Sequence, residues 1–180
     1  MEQPCPDQGE IYFMKRIAII PAYEPPKEFV QYATQLTHVV DQLVVVNDGS
    51  DSRFDAVFSQ IAQLDRATVL FYSENRGKGY ALKQAFSHCA DHFSEADILV
   101  TADCDGQHAI EDIQAVCEAA MAHPEACVLG CRNFSQENVP QKSRFGNTGM
   151  LCLLWLIYGI RISDSQTGLR AFTIQRAQQF

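Results

Sequence analysis

Positive charge is in deficit: fourteen Lys and Arg stand against twenty-two Asp and Glu, and the 180-residue chain carries −8 at pH 7. A field of that sign repels a phosphate backbone and excludes general nucleic-acid binding. Any phosphate handled here must be held locally, by a metal or by a few placed arginines. Cysteine pairs of the CxxC type are absent. The seven cysteines (Cys5, Cys89, Cys104, Cys117, Cys127, Cys131 and Cys152) are odd in number, and most sit in apolar runs. This pattern reads as buried free thiols in a reducing cytosol, not as a disulfide framework or a zinc site. Long apolar runs are missing too. The longest, MLCLLWLIYGI at 150–160, is about half the roughly twenty residues a spanning helix needs, so it reads as a core helix or one lying in a membrane interface. The first ten residues contain two prolines and no basic residue, and are not expected to act as a secretory signal.

What is present is an ordinary globular composition, 47% hydrophobic and 20% charged, in a length that fits one domain. Five short apolar runs of β type recur at 17–20, 43–46, 68–72, 98–101 and 127–130. Between them run 3.6-residue patterns: Phe29, Tyr32, Ala33, Leu36, Val39 and Val40; Phe54, Val57, Phe58, Ile61 and Leu64; Leu82, Ala85, Phe86 and Cys89; Ile110, Ile113, Val116, Cys117 and Ala120. Near-continuous apolar strands, each followed by a helix, predict a doubly wound α/β domain, a mostly parallel sheet with helices on both faces. Residues 1–15 read as an N-terminal extension and 16–180 as the domain. Past about residue 132 the alternation stops. The last residues, from Ile174, read as a helix without a cap signal, so the domain is expected to continue beyond Phe180.

Ligands of open α/β sheets bind beyond the carboxyl ends of the strands, and four polar loops fall there. They are Pro21-Ala22-Tyr23-Glu24, Asn47-Asp48-Gly49-Ser50-Asp51, Glu74-Asn75-Arg76-Gly77-Lys78-Gly79 and Asp103-Cys104-Asp105-Gly106-Gln107-His108. Singly, each is an ordinary turn or helix-capping sequence; together they converge on one edge. In the last loop, two carboxylates one residue apart can face a hard divalent cation, with Gln107 adding an oxygen. Mg²⁺ and Mn²⁺ take such ligands and keep water or substrate phosphates in the remaining positions. His88 and His92 stand at i, i+4 with no third ligand, and read as a solvated helix face. Gly77-Lys78-Gly79 lacks the full phosphate-loop pattern.

These loops, in this order and spacing, resemble family 2 glycosyltransferases of the GT-A (Rossmann-like) fold. Gly130-Cys131-Arg132, Ser143-Arg144-Phe145-Gly146-Asn147 and Asp164-Ser165-Gln166-Thr167-Gly168-Leu169-Arg170 resemble the subgroup of dolichyl-phosphate mannose synthase and bacterial polyprenyl-phosphate glycosyltransferases. The resemblance implies a catalytic domain over 16–180. It also implies a nucleotide-diphosphate sugar donor, UDP- or GDP-linked, bound with Mn²⁺ or Mg²⁺. Pro21, Ala22, Tyr23 and Glu24 would line the nucleotide pocket, Asp48 would hydrogen-bond the base, and Lys78 would lie close to the nucleotide. Asp103 would meet the ribose or the metal, with Asp105 and Gln107 on the metal. The family often carries Asn before the Glu of its first motif, whereas here Tyr23 directly precedes Glu24.

The acceptor class follows from chemistry. Inverting transfer to a sugar hydroxyl needs a general base. A phosphate-monoester acceptor is largely dianionic at pH 7, with a second pKa of about 6, and needs only cationic clamping. Arg132, Arg144 and Arg170 fall in three separate late motifs, and arginine's planar fork suits phosphate. Asp164 is a structural anchor for its loop, or a base if the acceptor is a hydroxyl. The expected function is inverting sugar transfer to a polyprenyl phosphate by a cytoplasmic protein, peripheral on the inner face of the membrane. Two alternatives remain. A sugar-phosphate nucleotidyltransferase would want a Gly-rich basic loop where this chain has PAYEPP. A non-catalytic Mg²⁺- or nucleotide-binding module would want paired acids where Glu24 stands alone.

Overall fold

The computed structural model describes residues 13–131 and 167–179. Along the chain run β1 (Arg16–Ala22), α1 (Phe29–Leu36), β2 (Gln42–Asp48), a 3₁₀ turn (Ser52–Phe54) and α2 (Asp55–Ala62). Then come β3 (Ala67–Tyr72), α3 (Lys78–His92), β4 (Ile98–Thr101), α4 (Ile110–Ala122) and β5 (Val128–Leu129). The last two are β6 (Arg170–Thr173) and α5 (Ile174–Ala177). The sheet order is β3-β2-β1-β4-β6-β5. The first four strands are parallel, and β6 is antiparallel to both β4 and β5.

Both faces of the sheet are covered, which is why its strands read as unbroken apolar runs and not as alternating ones. The period of two divides each strand between two cores. Ala18, Ile20, Leu43, Val45, Ile98 and Val100 pack with Phe29, Ala33, Leu36, Phe58, Ile61, Ile113 and Cys117 from α1, α2 and α4. Ile17, Ile19, Val44, Val46 and Leu99 pack on the other face with Ala81, Ala85 and Cys89 of α3 and Ile174 and Ala177 of α5. At the amino end of the strands, the fully buried Asp97 accepts from the backbone N–H of Lys15 at 2.8 Å and of Ser94 at 3.0 Å. It thereby ties the entries of β1 and β4 together.

The sequence expectations are met for all five strands and four helices, with three differences. The first apolar face runs to Val40, but α1 ends at Leu36. The Thr34 and Thr37 hydroxyls bond back to the carbonyls of Val30 and Thr34, competition that favours helix ends. The turn that follows still buries Val40. The sixth strand, Arg170–Thr173, is not expected from the pattern, because four residues of an antiparallel strand show too little periodicity to stand out. Among the cysteines, Cys89 and Cys117 are buried, but Cys127 and Cys131 are exposed. They flank the two-residue β5, which ends the sheet among the described residues.

Candidate active site

The strand order reverses between β1 and β4, so their carboxyl ends open the crevice where such sheets bind ligands. Pro21 and Ala22 end β1 and are buried, and the exposed Tyr23 and Glu24 follow. Glu24 adopts a left-handed φ of 46°, and its N–H donates to Ser50 Oγ at 2.9 Å. That bond joins the first loop to the second. The second loop is in turn pressed against the third. Gly49 has φ +69°, and a Cβ there would overlap the Glu74 and Asn75 backbone. A residue without a side chain is required at that approach.

Asp48, the last residue of β2, is 4% exposed. Its Oδ1 accepts from the Tyr72 hydroxyl at 2.6 Å and from the Arg76 N–H at 2.8 Å. Burial, and then the Asp48 carboxylate, push the Tyr72 phenol upward in pKa, which keeps it a protonated donor. Arg76 itself folds back over the Tyr80 ring at 4.9 Å. Three of the four loops are therefore cross-linked by backbone and side-chain bonds before any ligand arrives.

The fourth loop begins at Asp103, two residues past β4. Its carboxylate forms an ion pair with the Lys78 ammonium at the start of α3. His108 Nε2 stands 3.8 Å from Asp103 Oδ2, beyond direct hydrogen-bonding but within electrostatic reach. His108, and then Lys78, hold the Asp103 carboxyl well below the usual carboxylate range, against the opposing effect of burial. The His108 carbonyl is anchored by the Tyr32 hydroxyl at 3.1 Å. Asp105 is exposed on the turn, and its Oδ1 accepts the Gln107 N–H at 3.1 Å.

From the far side, the loop at residues 167–169 closes on Asp103. The Thr101 hydroxyl donates to the Gly168 carbonyl at 2.9 Å, and the Thr167 hydroxyl to the Gly130 carbonyl at 2.6 Å. Arg170 Nε donates to the Thr167 carbonyl at 3.2 Å. A cavity of about 470 Å³ opens beside this loop, with Lys78, Lys83 and Arg170 around Leu82, Phe86 and Phe172. No carboxylate lines it among the described residues.

The structure thus gathers Pro21, Ala22, Tyr23, Glu24, Asp48, Lys78, Asp103, Asp105 and Gln107 at one sheet edge, with Arg170 close behind. Arg132, Arg144, Asp164 and the apolar run at 150–160 lie outside the described residues. The resemblance implies Lys78 close to the nucleotide; in the structure its ammonium pairs with Asp103. Several supporting groups act through contacts between distant segments that no local pattern shows: Tyr72 and Thr101 lie in apolar strands, Tyr32 in a helical face, and Ser50 and Gly168 in the quoted motifs. His108 was visible in the Asp103–His108 stretch, but its role as Asp103's neighbour was not. His88 and His92 stack at 4.2 Å, and His92 Nδ1 meets the His88 carbonyl. Among the described residues no group of three or more His, Cys, Asp or Glu could hold a metal by itself. The two carboxylates of Asp103 and Asp105 are hard oxygen donors, and this set fits a hard cation that draws its other ligands from water and a diphosphate.

The family model for glycosyl transferase family 2 matches residues 17–177. The chain belongs to that family. It is 30% identical over 176 residues to a UDP-N-acetylglucosamine–dolichyl-phosphate N-acetylglucosaminyltransferase of Methanococcus voltae, covering 86% of this chain and 68% of that protein. Among solved structures it is similar to a mannosyltransferase of Pyrobaculum calidifontis in complex with GDP-Man and Mn²⁺ (TM-score 0.59, 19% identity), covering 94% of this chain and 47% of that one. It is also similar to a 4-diphosphocytidyl-2C-methyl-D-erythritol synthase (TM-score 0.53, 17% identity), covering 91% of this chain and 77% of that one. Both structural likenesses speak for the fold alone. Family 2 membership selects the glycosyltransferases within that architecture, and the edge just described is where the family-type loops meet.

Proposed function

We propose that this domain transfers a sugar from a UDP- or GDP-linked donor to a polyprenyl phosphate or similar lipid phosphate, with inversion, at the cytosolic face of a membrane. The observation that carries the reading is the pairing of two unlike regions at one edge. Asp103 and Asp105 offer hard oxygens for a metal-bound diphosphate, and behind them lies a cationic, apolar cavity that no carboxylate lines among the described residues. The M. voltae relative, whose name specifies dolichyl phosphate and a UDP-sugar, supports both halves. The P. calidifontis protein holds GDP-Man with Mn²⁺ in a similar fold.

In this reading Asp103, Asp105 and Gln107 hold Mn²⁺ or Mg²⁺. Bound there, a divalent cation would supply charge neutralisation for the departing nucleoside diphosphate. Asp48 bonds the base, while Tyr23 and Glu24, with the buried Pro21 and Ala22 behind them, wall the nucleotide. Lys78, ion-paired with Asp103, moves its charge to the diphosphate when the donor binds. Arg170, with Arg132 and Arg144, clamps the acceptor phosphate. That acceptor is dianionic at neutral pH, so no residue has to remove a proton from it, and Asp164 serves as a loop anchor. The described residues contain no helix long and apolar enough to cross a membrane; the 150–160 run would rest in the interface.

A nucleotidyltransferase shares the architecture, but the loop after β1, residues 23–28, contains no glycine and a single basic residue, Lys27, where that chemistry needs a Gly-rich cationic phosphate cradle. A thermal-shift series with UDP, GDP and their sugars, with and without Mn²⁺, tests the donor half. Binding to the native state raises the melting temperature, and the rise is expected only with the cation present. A rise with CTP alone, and none with either nucleoside diphosphate, would favour the nucleotidyltransferase.

A further inference from the structure

Gly168 does not owe its identity to backbone conformation. Among the glycines with positive φ are Gly49, Gly77 and Gly106, but not Gly168, so an alanine could adopt its backbone angles. Space is what excludes one. A Cβ on residue 168 would stand 2.8 Å from Asp103 Cγ and 3.0 Å from Oδ1, and closer still to Oδ2. The bare Cα of Gly168 therefore forms the floor on which the Asp103 carboxylate rests.

The loop has no room to retreat. The Thr101 hydroxyl holds the Gly168 carbonyl at 2.9 Å, and the Thr167 hydroxyl holds the Gly130 carbonyl at 2.6 Å. The Gly130 N–H donates to the Leu169 carbonyl at 2.9 Å. A Cβ at Gly130 would meet Leu169 Cγ at 2.7 Å, so that side is packed as well. With the floor fixed by β4 and by the close of the β5–β6 pair, the carboxylate is the part that yields. It must shift by roughly 0.7 Å to restore a carbon–carbon contact of about 3.5 Å.

We propose that Gly168 is a positioning residue, whose missing side chain sets where the Asp103 carboxylate stands relative to Asp105 for the metal-bound donor. The inference rests on the proposed donor site and names the part of the chain that shapes it. Misplacement of about 1 Å at a reacting centre costs about 100-fold in rate, so Gly168→Ala should lower kcat by about 10- to 100-fold. It should also raise the Mn²⁺ concentration needed for half-maximal binding by about tenfold.

A double-mutant cycle over positions 168 and 103 tests this in the full-length protein: wild type, Gly168→Ala, Asp103→Ala and the pair. Two quantities are read for each. One is the melting temperature without ligand. The other is Mn²⁺ binding at fixed UDP or GDP, followed by loss of the free-ion paramagnetic resonance signal. The proposal expects Gly168→Ala to lower the melting temperature and weaken Mn²⁺ binding only while Asp103 is present. With the carboxylate gone, the added methyl has nothing to displace, and the second substitution should change neither quantity further. If Gly168→Ala fails to fold, the pair must fold as well as Asp103→Ala alone. Equal losses in both backgrounds, or an unfolded pair, would overturn the proposal. The two readings fail separately: wild type that binds no Mn²⁺ with either nucleotide defeats the donor site, while the melting-temperature cycle still reports whether Gly168 acts through Asp103.

Discussion

Asp48 is where the structure most changes what a substitution should do. On the sequence it is a ligand residue; in the structure it is also a strut, accepting from Tyr72 at 2.6 Å and from the Arg76 N–H at 2.8 Å while 4% exposed. Each bond to a charged acceptor is worth about 1.5–3 kcal/mol. Tyr72 is half-buried and Arg76 exposed, so water replaces part of what is lost. Asp48→Ala should therefore cost about 3 kcal/mol of folding stability, the lower end of the two-bond range. Asp48→Asn keeps an acceptor oxygen in the same place and should cost about 1 kcal/mol, the difference between charged and neutral acceptors. Urea unfolding followed by circular dichroism measures both, and an unchanged m-value confirms that the folded state is being compared. Calorimetric titration with UDP or GDP then isolates the ligand role in the Asn variant, which should bind about tenfold or more weakly through loss of a charge-assisted bond of about 1.5–3 kcal/mol. Wild-type stability in Asp48→Ala would refute the strut. Wild-type affinity in Asp48→Asn would remove the charge of Asp48 from nucleotide recognition.

Asp97→Ala, far from the site, should destabilise the fold by about 3 kcal/mol, because it leaves the Lys15 and Ser94 N–H groups without their buried acceptor; chemical denaturation reads this directly. Asp105→Asn should abolish the Mn²⁺ dependence of nucleotide binding with little change in melting temperature, since Asp105 is exposed; equal affinity in excess EDTA and in Mn²⁺ would remove the metal role. Burial pushes the Cys89 and Cys117 thiols up to about 12. The reactive thiolate therefore stays unpopulated at pH 8, and iodoacetamide followed by peptide mass spectrometry should label the exposed Cys131 while sparing those two until the protein unfolds.

The parallel half of the sheet was legible because burial on both faces leaves strands as apolar runs and the helices between them as 3.6-residue patterns. The edge that binds was legible too, since the polar loops after β1, β2, β3 and β4 have to share one end of a parallel sheet. What the sequence concealed is pairing across distance. Nothing in RAFT announces a strand that turns back along β4, and nothing in Gly168 alone announces a carboxylate resting on it 65 positions upstream. Lys78 shows the same limit. Its place in a loop near the site was readable, but its ion pair with Asp103 exists only because α3 starts where β4 ends. The exposed Cys127 and Cys131 mislead for a related reason: their apolar neighbours belong to a two-residue strand at the sheet's edge, which buries little.

The central claim is that this edge hands a sugar from a nucleoside diphosphate to a lipid phosphate. It is tested most directly by incubating the full-length protein with Mn²⁺, a polyprenyl phosphate in detergent, and UDP- or GDP-sugars labelled in the sugar. The organic phase is then followed by mass spectrometry. The account predicts a polyprenyl phosphate bearing one labelled sugar, with inverted anomeric configuration and one equivalent of free nucleoside diphosphate. It further predicts that Arg170→Ala reduces this product while leaving donor binding nearly intact. Label appearing only on a water-soluble hydroxyl acceptor, with none in the lipid, would contradict it.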